Sequence, residues 1–130
     1  MLLMTPDIRA KLNKVNLRVN KKTTYRTDTS LYGKTEFWAI AQGKGDCEDY
    51  SLAKLKELLK EGIPRKDMSL ATCWCVPGDN SSYHAVLIVH TNEGDLVLDN
   101  RYDSIKLAKN TGYKFHKLED FENKRWTLVK

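Results

Sequence analysis

Cysteine, proline and long apolar runs are all scarce in this chain of 130 residues. Its three cysteines, Cys47, Cys73 and Cys75, cannot all pair with one another, and Cys73 and Cys75 would share one face of a strand, a poor geometry for a disulfide. That excludes a disulfide-stapled scaffold and favours a reducing compartment. With three prolines and seven glycines there are no linkers, repeats or low-complexity tracts, so one unit over residues 1–130 is expected. No apolar run approaches the roughly 18 residues of a membrane span. Met1-Leu2-Leu3-Met4 is too short for the apolar region of a signal peptide and gives way at once to Pro6 and Asp7. The expectation is a cytoplasmic protein without a membrane segment.

Lysine and arginine number 22 against 17 acids, a net charge of +5. Much of the excess falls early, in Arg9, Lys11, Lys14, Arg18, Lys21, Lys22 and Arg26. Such a cluster can meet an anionic polymer, nucleic acid or cell wall. No aromatic residues interleave with it as stacking platforms would, so a solvated helix face is the better reading and a nucleic-acid partner is not expected.

Thr5-Pro6-Asp7 reads as a helix start, with Ile8, Leu12, Val15 and Val19 on one stripe and an end near Asn20. An aromatic segment, Thr35 to Ile40, precedes the glycine turn Gly43-Lys44-Gly45. From about Cys47 to Glu61, Leu52, Leu55, Leu58 and Leu59 recur at helical spacing with lysines on the other side, and Gly62 and Pro64 stop the helix. Beyond Pro64 the period becomes two. Strands are expected at Leu70 to Val76, Tyr83 to Val89 and Leu96 to Asp99, with weaker ones near Ile105 to Leu107, Tyr113 to His116 and Trp126 to Val129. Helices first and an antiparallel sheet afterwards make an α+β domain.

Cys47 stands at a helix start, where partial positive charge and unpaired N–H groups favour a thiolate and can stabilise an oxyanion. Its neighbours Asp46, Glu48 and Asp49 disfavour the thiolate, so the site needs a cation. Of three histidines, His84 is best placed, at the start of an apolar strand, whereas His90 and His116 read as surface positions. The third member of such a set is an acid that orients the imidazole. Asp99 ends an apolar run where an unpaired acid would be costly. If Glu93-Gly94 is a two-residue turn, however, simple pairing puts Asp103 opposite His84 and Asp99 opposite Ile88, so Asp103 competes for the role. Cys73 and Cys75, alternating with Trp74, read as packed thiols, since no further ligands stand at zinc-site spacing.

Three ordered segments, Gly45-Asp46-Cys47-Glu48-Asp49-Tyr50, His84-Ala85-Val86-Leu87 and Asp95 to Asn100, resemble the bacterial transglutaminase-like cysteine proteinases. The likeness extends to Leu12-Asn13-Lys14-Val15-Asn16, Tyr32-Gly33 and Trp38-Ala39, and so covers roughly residues 8 to 102. It implies a papain-like or transglutaminase-like fold and a catalytic triad carried over to Cys47, His84 and Asp99. It also implies a calcium ion held by the acids beside the cysteine, here Asp46, Glu48 and Asp49. Helix capping by Asp46 and Glu48 is the equal alternative, and the chemistry itself requires no cofactor. Trp38 and Gln42 could line the cleft or lend an oxyanion donor, although Trp38 suits core packing better.

Exported relatives carry a signal and substrate-binding insertions; a small cytosolic or phage-encoded enzyme would explain their lack here. The expected activity is hydrolysis of protein or peptide substrates through a thioester acyl-enzyme. An acyl transferase or amidase acting on isopeptide or cell-wall peptide bonds would use the same acyl-enzyme. A binding module retaining the fold is the other class, but a binder has no need of all three residues. The sequence does not speak to oligomeric state.

Overall fold

The computed structural model describes residues 1–22 and 45–129. Helix α1 spans Pro6–Lys22 and helix α2 spans Gly45–Lys60. Strands follow at Met68–Trp74 (β1), Tyr83–Thr91 (β2), Gly94–Leu98 (β3), Lys106–Leu107 (β4), Lys114–Asp120 (β5) and Arg125–Leu128 (β6). They form one antiparallel sheet in the order β4-β3-β2-β1-β5-β6. The aromatic segment Thr35 to Ile40 and the turn ahead of Gly45 lie outside the described residues.

The helix ends follow the sequence signals. Thr5 caps α1, its Oγ1 accepting from the Ile8 N–H at 3.1 Å. Past α2, Gly62 adopts φ +92°, which side chains disfavour, and the Ile63 N–H returns to the Leu58 carbonyl at 3.0 Å. Leu12, Val15 and Val19 of α1 pack with Leu55 and Leu58 of α2 against Leu70, Ala85, Leu87, Val89, Leu96 and Leu98 of the sheet. A smaller cluster, Ala71, Val86, Ile88 and Val97, takes the alternate positions and so the opposite face.

Helix α2 departs from its expected pattern at two places. Leu59 is 43% exposed, whereas Lys54 is fully buried. Cys47, Lys54 and Leu58 are spaced by seven and four residues, so the lysine shares the inward stripe instead of covering the outer side. The basic face of α1 is partly neutralised within the molecule: Arg18 meets Glu57 at 2.6 Å, Arg9 meets Glu93, and Lys11 lies 3.5 Å from Asp7.

The hairpin between β2 and β3 corrects the expected register. Thr91 pairs with Gly94, so Asn92-Glu93 is the loop. The Thr91 hydroxyl accepts from the Glu93 N–H at 3.1 Å and donates to the Gly94 carbonyl at 2.6 Å, closing the turn one residue early. Asn92 is also anchored outside the hairpin, its N–H donating to the Leu2 carbonyl and its Oδ1 accepting from the Met4 N–H. The one-residue change in the turn moves every cross-strand pair by two. Leu87 therefore faces Leu98, and the same register carried one step further sets Asp99 against Val86, diagonal to His84.

Candidate active site

Cys47 is the third residue of α2 and is buried, at 3% exposure. Ser51, one turn on, donates its hydroxyl to the Cys47 carbonyl at 2.9 Å and approaches the Ala85 carbonyl at 3.4 Å, seating the start of the helix against β2. His84, the second residue of β2, is 8% exposed. Its Nε2 lies 2.7 Å from Asp99 Oδ1, and its ring is also hydrogen-bonded to Cys47.

Asp99, just past β3 and 2% exposed, is satisfied from three sides. Besides His84, the Arg101 N–H donates to Oδ1 at 3.0 Å and the Tyr113 hydroxyl donates to Oδ2 at 2.5 Å. Tyr113 also stands edge-on to the His84 ring, with centroids 6.3 Å apart and planes at 84°. Helix α1 fixes the turn beneath: Asn20 donates to the Asp99 and Tyr102 carbonyls, and Asn16 to those of Tyr102 and Asp103. Asp103 thus enters the site through its backbone carbonyl, while the carboxylate at His84 belongs to Asp99.

The electrostatics follow from these contacts. Burial works against a charged imidazole, but hydrogen bonds to Asp99 and Cys47 and the charges of both outweigh it, raising His84 from 6.5 to about 10. For Asp99, burial favours the neutral acid, yet the hydrogen bond and charge of His84, with the bonds from Tyr113 and Arg101, hold its carboxyl below the usual carboxylate range. Burial and the bond to Asp99 push the Tyr113 hydroxyl up, so it remains a donor. An imidazolium held by a carboxylate beside the thiol of Cys47 is equipped to hand a proton to a leaving group.

A model of the bacterial transglutaminase-like cysteine proteinases matches residues 1–130. The chain belongs to that family. Solved structures of LapG from Legionella pneumophila resemble it: the calcium-bound form with a TM-score of 0.70 at 24% identity, the EGTA-treated form with 0.68 at 26%, and a further LapG structure with 0.69 at 26%. The alignments cover 98% of this chain and 71%, 70% and 72% of LapG, respectively. No curated protein sequence matches it. The chain is therefore a transglutaminase-like cysteine peptidase by family, with a protein or peptide as its class of substrate. No helix among the described residues is long and apolar enough to cross a membrane.

Trp38 and Gln42 lie outside the described residues, as do the side chains of Asp46 and Glu48, while Asp49 is buried on α2. Among the described residues no group of three or more potential metal ligands comes together. Cys73 is a core thiol, and burial raises its pKa. Cys75 departs from expectation: it lies past the end of β1, is partly exposed, and lines an open cleft of about 280 Å³ with Tyr83, His84 and Arg101. Sequence reasoning missed Tyr113 and Lys54 altogether. Nothing in the sequence near Tyr113 marks it, because it stands fourteen residues past Asp99, just ahead of a different strand. Lys54 did carry a signal: it stands seven residues after Cys47 and four before Leu58, in the middle of the inward stripe.

Proposed function

We propose that Cys47, His84 and Asp99 are the catalytic triad of a cysteine endopeptidase. The supporting observation is the placement of His84, which bridges the Asp99 carboxylate and the thiol at the start of α2. With the imidazole's pKa raised to about 10, its proton is already in place near neutral pH and Cys47 attacks as the thiolate. The sulfur adds to the peptide carbonyl, and the resulting oxyanion is held by N–H groups of the first turn of α2. The C–N bond then breaks, the leaving amine takes the proton from His84, and a thioester remains. Water, giving its proton back to His84, adds to the thioester carbonyl; the C–S bond breaks, releasing the acid and restoring the thiolate. Asp99 keeps the imidazole oriented throughout.

Cys47→Ala should abolish cleavage of a fluorogenic peptide that the wild type turns over, while circular dichroism shows the variant folded. Iodoacetamide at limiting concentration should label Cys47 and spare the buried Cys73. Retained cleavage by Cys47→Ala would overturn the assignment. Transfer to an added amine in place of water would appear by mass spectrometry as an amide product, and would identify an acyl transferase using the same triad.

Calcium is proposed as a structural ion on Asp46, Glu48 and Asp49, supported by the calcium-bound LapG structure and by a donor set made only of hard carboxylate oxygens, as calcium requires. Bound ion would order the approach to Cys47 and take no part in bond making. Millimolar calcium should raise the melting temperature relative to chelator by mass action, and Asp46→Ala should remove the difference. Equal melting in calcium and chelator would leave Asp46 and Glu48 as helix caps.

A further inference from the structure

The open cleft of about 280 Å³ beside β2 has His84 and Arg101 in its wall, and none of the described residues lining it is an acid. Arg101 comes to it from the turn after β3. Its N–H donates to Asp99 Oδ1 at 3.0 Å, so the backbone that carries the guanidinium is tied to the carboxylate holding His84. The guanidinium carbon lies 5.7 Å from the centre of the Tyr102 ring and 5.8 Å from that of Tyr113, and Nη1 donates to the Tyr113 hydroxyl at 3.3 Å. The other arginines among the described residues each meet an acid: Arg9 meets Glu93, Arg18 meets Glu57, Arg65 meets Glu119 and Arg125 meets Asp120. Arg101 alone among them has no counter-charge, although two acids stand near it in the fold. Asp99 is taken up by His84, by Tyr113 and by the Arg101 backbone. Asp79, in the turn that brings Ser81 and Ser82 to the cleft, accepts from the Ser81 N–H and hydroxyl at 2.9 and 2.6 Å. A planar guanidinium in a cleft wall, with donors to spare and no acid of its own, matches a carboxylate brought from outside the chain.

We propose that Arg101 is a specificity-determining residue, and that the cleft takes the acidic side chain of an aspartate or glutamate just C-terminal to the scissile bond. The inference rests on the triad reading above. His84 gives its proton to the leaving amine, so the part of the substrate that departs with that amine lies on the histidine's side of Cys47, where the cleft has His84 in its wall. A carboxylate there meets the guanidinium by charge-assisted hydrogen bonds, and an amide of the same shape meets it without the charge.

The test begins with an internally quenched peptide library, amidated at its C-terminus so that only side chains supply carboxylates, with cleavage sites read by mass spectrometry. The wild type should favour Asp or Glu at the first or second position after the cleaved bond. For a cleaved Glu peptide and its Gln counterpart, kcat/KM should favour Glu by at least about tenfold in the wild type and by less than about threefold in Arg101→Met. Arg101→Glu should instead favour a Lys counterpart over both. Because each ratio is taken within one variant, it cancels any change in the triad itself. A library without acid preference, or equal Glu-to-Gln ratios in wild type and Arg101→Met, would overturn the proposal. A second readout needs no turnover. In the Cys47→Ala chain, a dipeptide amide beginning with glutamate, the form of the released product, should shift the NMR resonance of the Arg101 Nε–H, and its glutamine counterpart should leave it in place. Equal shifts, or none, would overturn the subsite even where no library peptide is cleaved. Retained cleavage by Cys47→Ala would defeat the triad reading and leave the subsite to be judged by the ratios across the Arg101 variants.

Discussion

The pH dependence of stability offers a test of the His84 cluster that needs no substrate. Folding raises His84 from 6.5 to about 10. Between those values the folded His84 holds a proton that the unfolded histidine has lost, but the thiolate proposed for Cys47 lacks one that an unfolded cysteine keeps up to about pH 8.5, so the pair's contribution to stability is lost as pH rises from about 8.5 toward 10. At about 1.36 kcal/mol per pKa unit the loss over that window is on the order of 2 kcal/mol, shared by the coupled Cys47, His84 and Asp99 and not owned by the histidine. Lys54 works in the opposite sense. It is lowered from 10.5 to about 7, so the unfolded chain is the one that holds the extra proton, and stability from this source rises across much of the same window. Wild-type stability should consequently rise from about pH 7 and level off above about pH 8.5. The comparison that isolates the cluster is wild type against His84→Gln, by urea denaturation at about pH 6.5, 8 and 9.5. The gap between the two should hold from about pH 6.5 to 8 and narrow by about 1–2 kcal/mol by pH 9.5, and the variant should go on gaining stability over that last step. Parallel curves would refute the raised imidazolium and, with it, the standing proton on which the proposed acylation step depends.

Asp99→Asn should lower kcat by about 10²–10⁴-fold through loss of the imidazole's orientation, whereas Asp103→Asn, whose carbonyl rather than carboxylate holds the turn, should stay within about threefold, both read on a fluorogenic peptide. Tyr113→Phe removes one charge-assisted donor from Asp99, about 1.5–3 kcal/mol, and should cost roughly 10- to 100-fold in kcat with little change in KM. Arg65 holds the buried Glu119 through two bonds of 2.8 and 2.7 Å, so Arg65→Met should destabilise the fold by roughly 3–5 kcal/mol in urea titrations, while Glu119→Gln, which leaves only the partly exposed Arg65 without its counter-charge, should cost less.

The two helices and the antiparallel sheet were legible because each rests on local chemistry. Pro6 behind Thr5 and the positive-φ Gly62 mark helix ends, and the change of apolar period after Pro64 marks the start of the sheet. The register of the β2–β3 hairpin was not legible in the same way. Asn92, Glu93 and Gly94 offer alternative two-residue turns, and the choice between them is made by the Thr91 hydroxyl and by the pairing of Leu2 with Thr91, a contact across almost the whole described chain. A one-residue ambiguity in the turn thus became the choice between Asp103 and Asp99. Resemblance to the family favoured Asp99 where pairing arithmetic favoured Asp103, and the folded hairpin brings Asp99 to His84 by a register that the arithmetic had not considered.

Lys54 shows where periodicity misleads. Helical spacing assigns a face to each residue, and chemistry then says which residues belong on the inside; for Lys54 the two disagree, and the sequence reading followed chemistry. In most helices that choice is sound, because an ammonium left in water costs nothing and one taken inside needs a partner. Here the charges that act on Lys54 are Asp99 and Asp103, acids that come from the far end of a hairpin and are invisible to any local window. A charged residue on an apolar stripe is therefore best read as a question about what the stripe faces. In this chain the stripe carries both the buried Lys54 and the proposed nucleophile Cys47, so the most anomalous residue of the helix and the thiol lie on the same side of it.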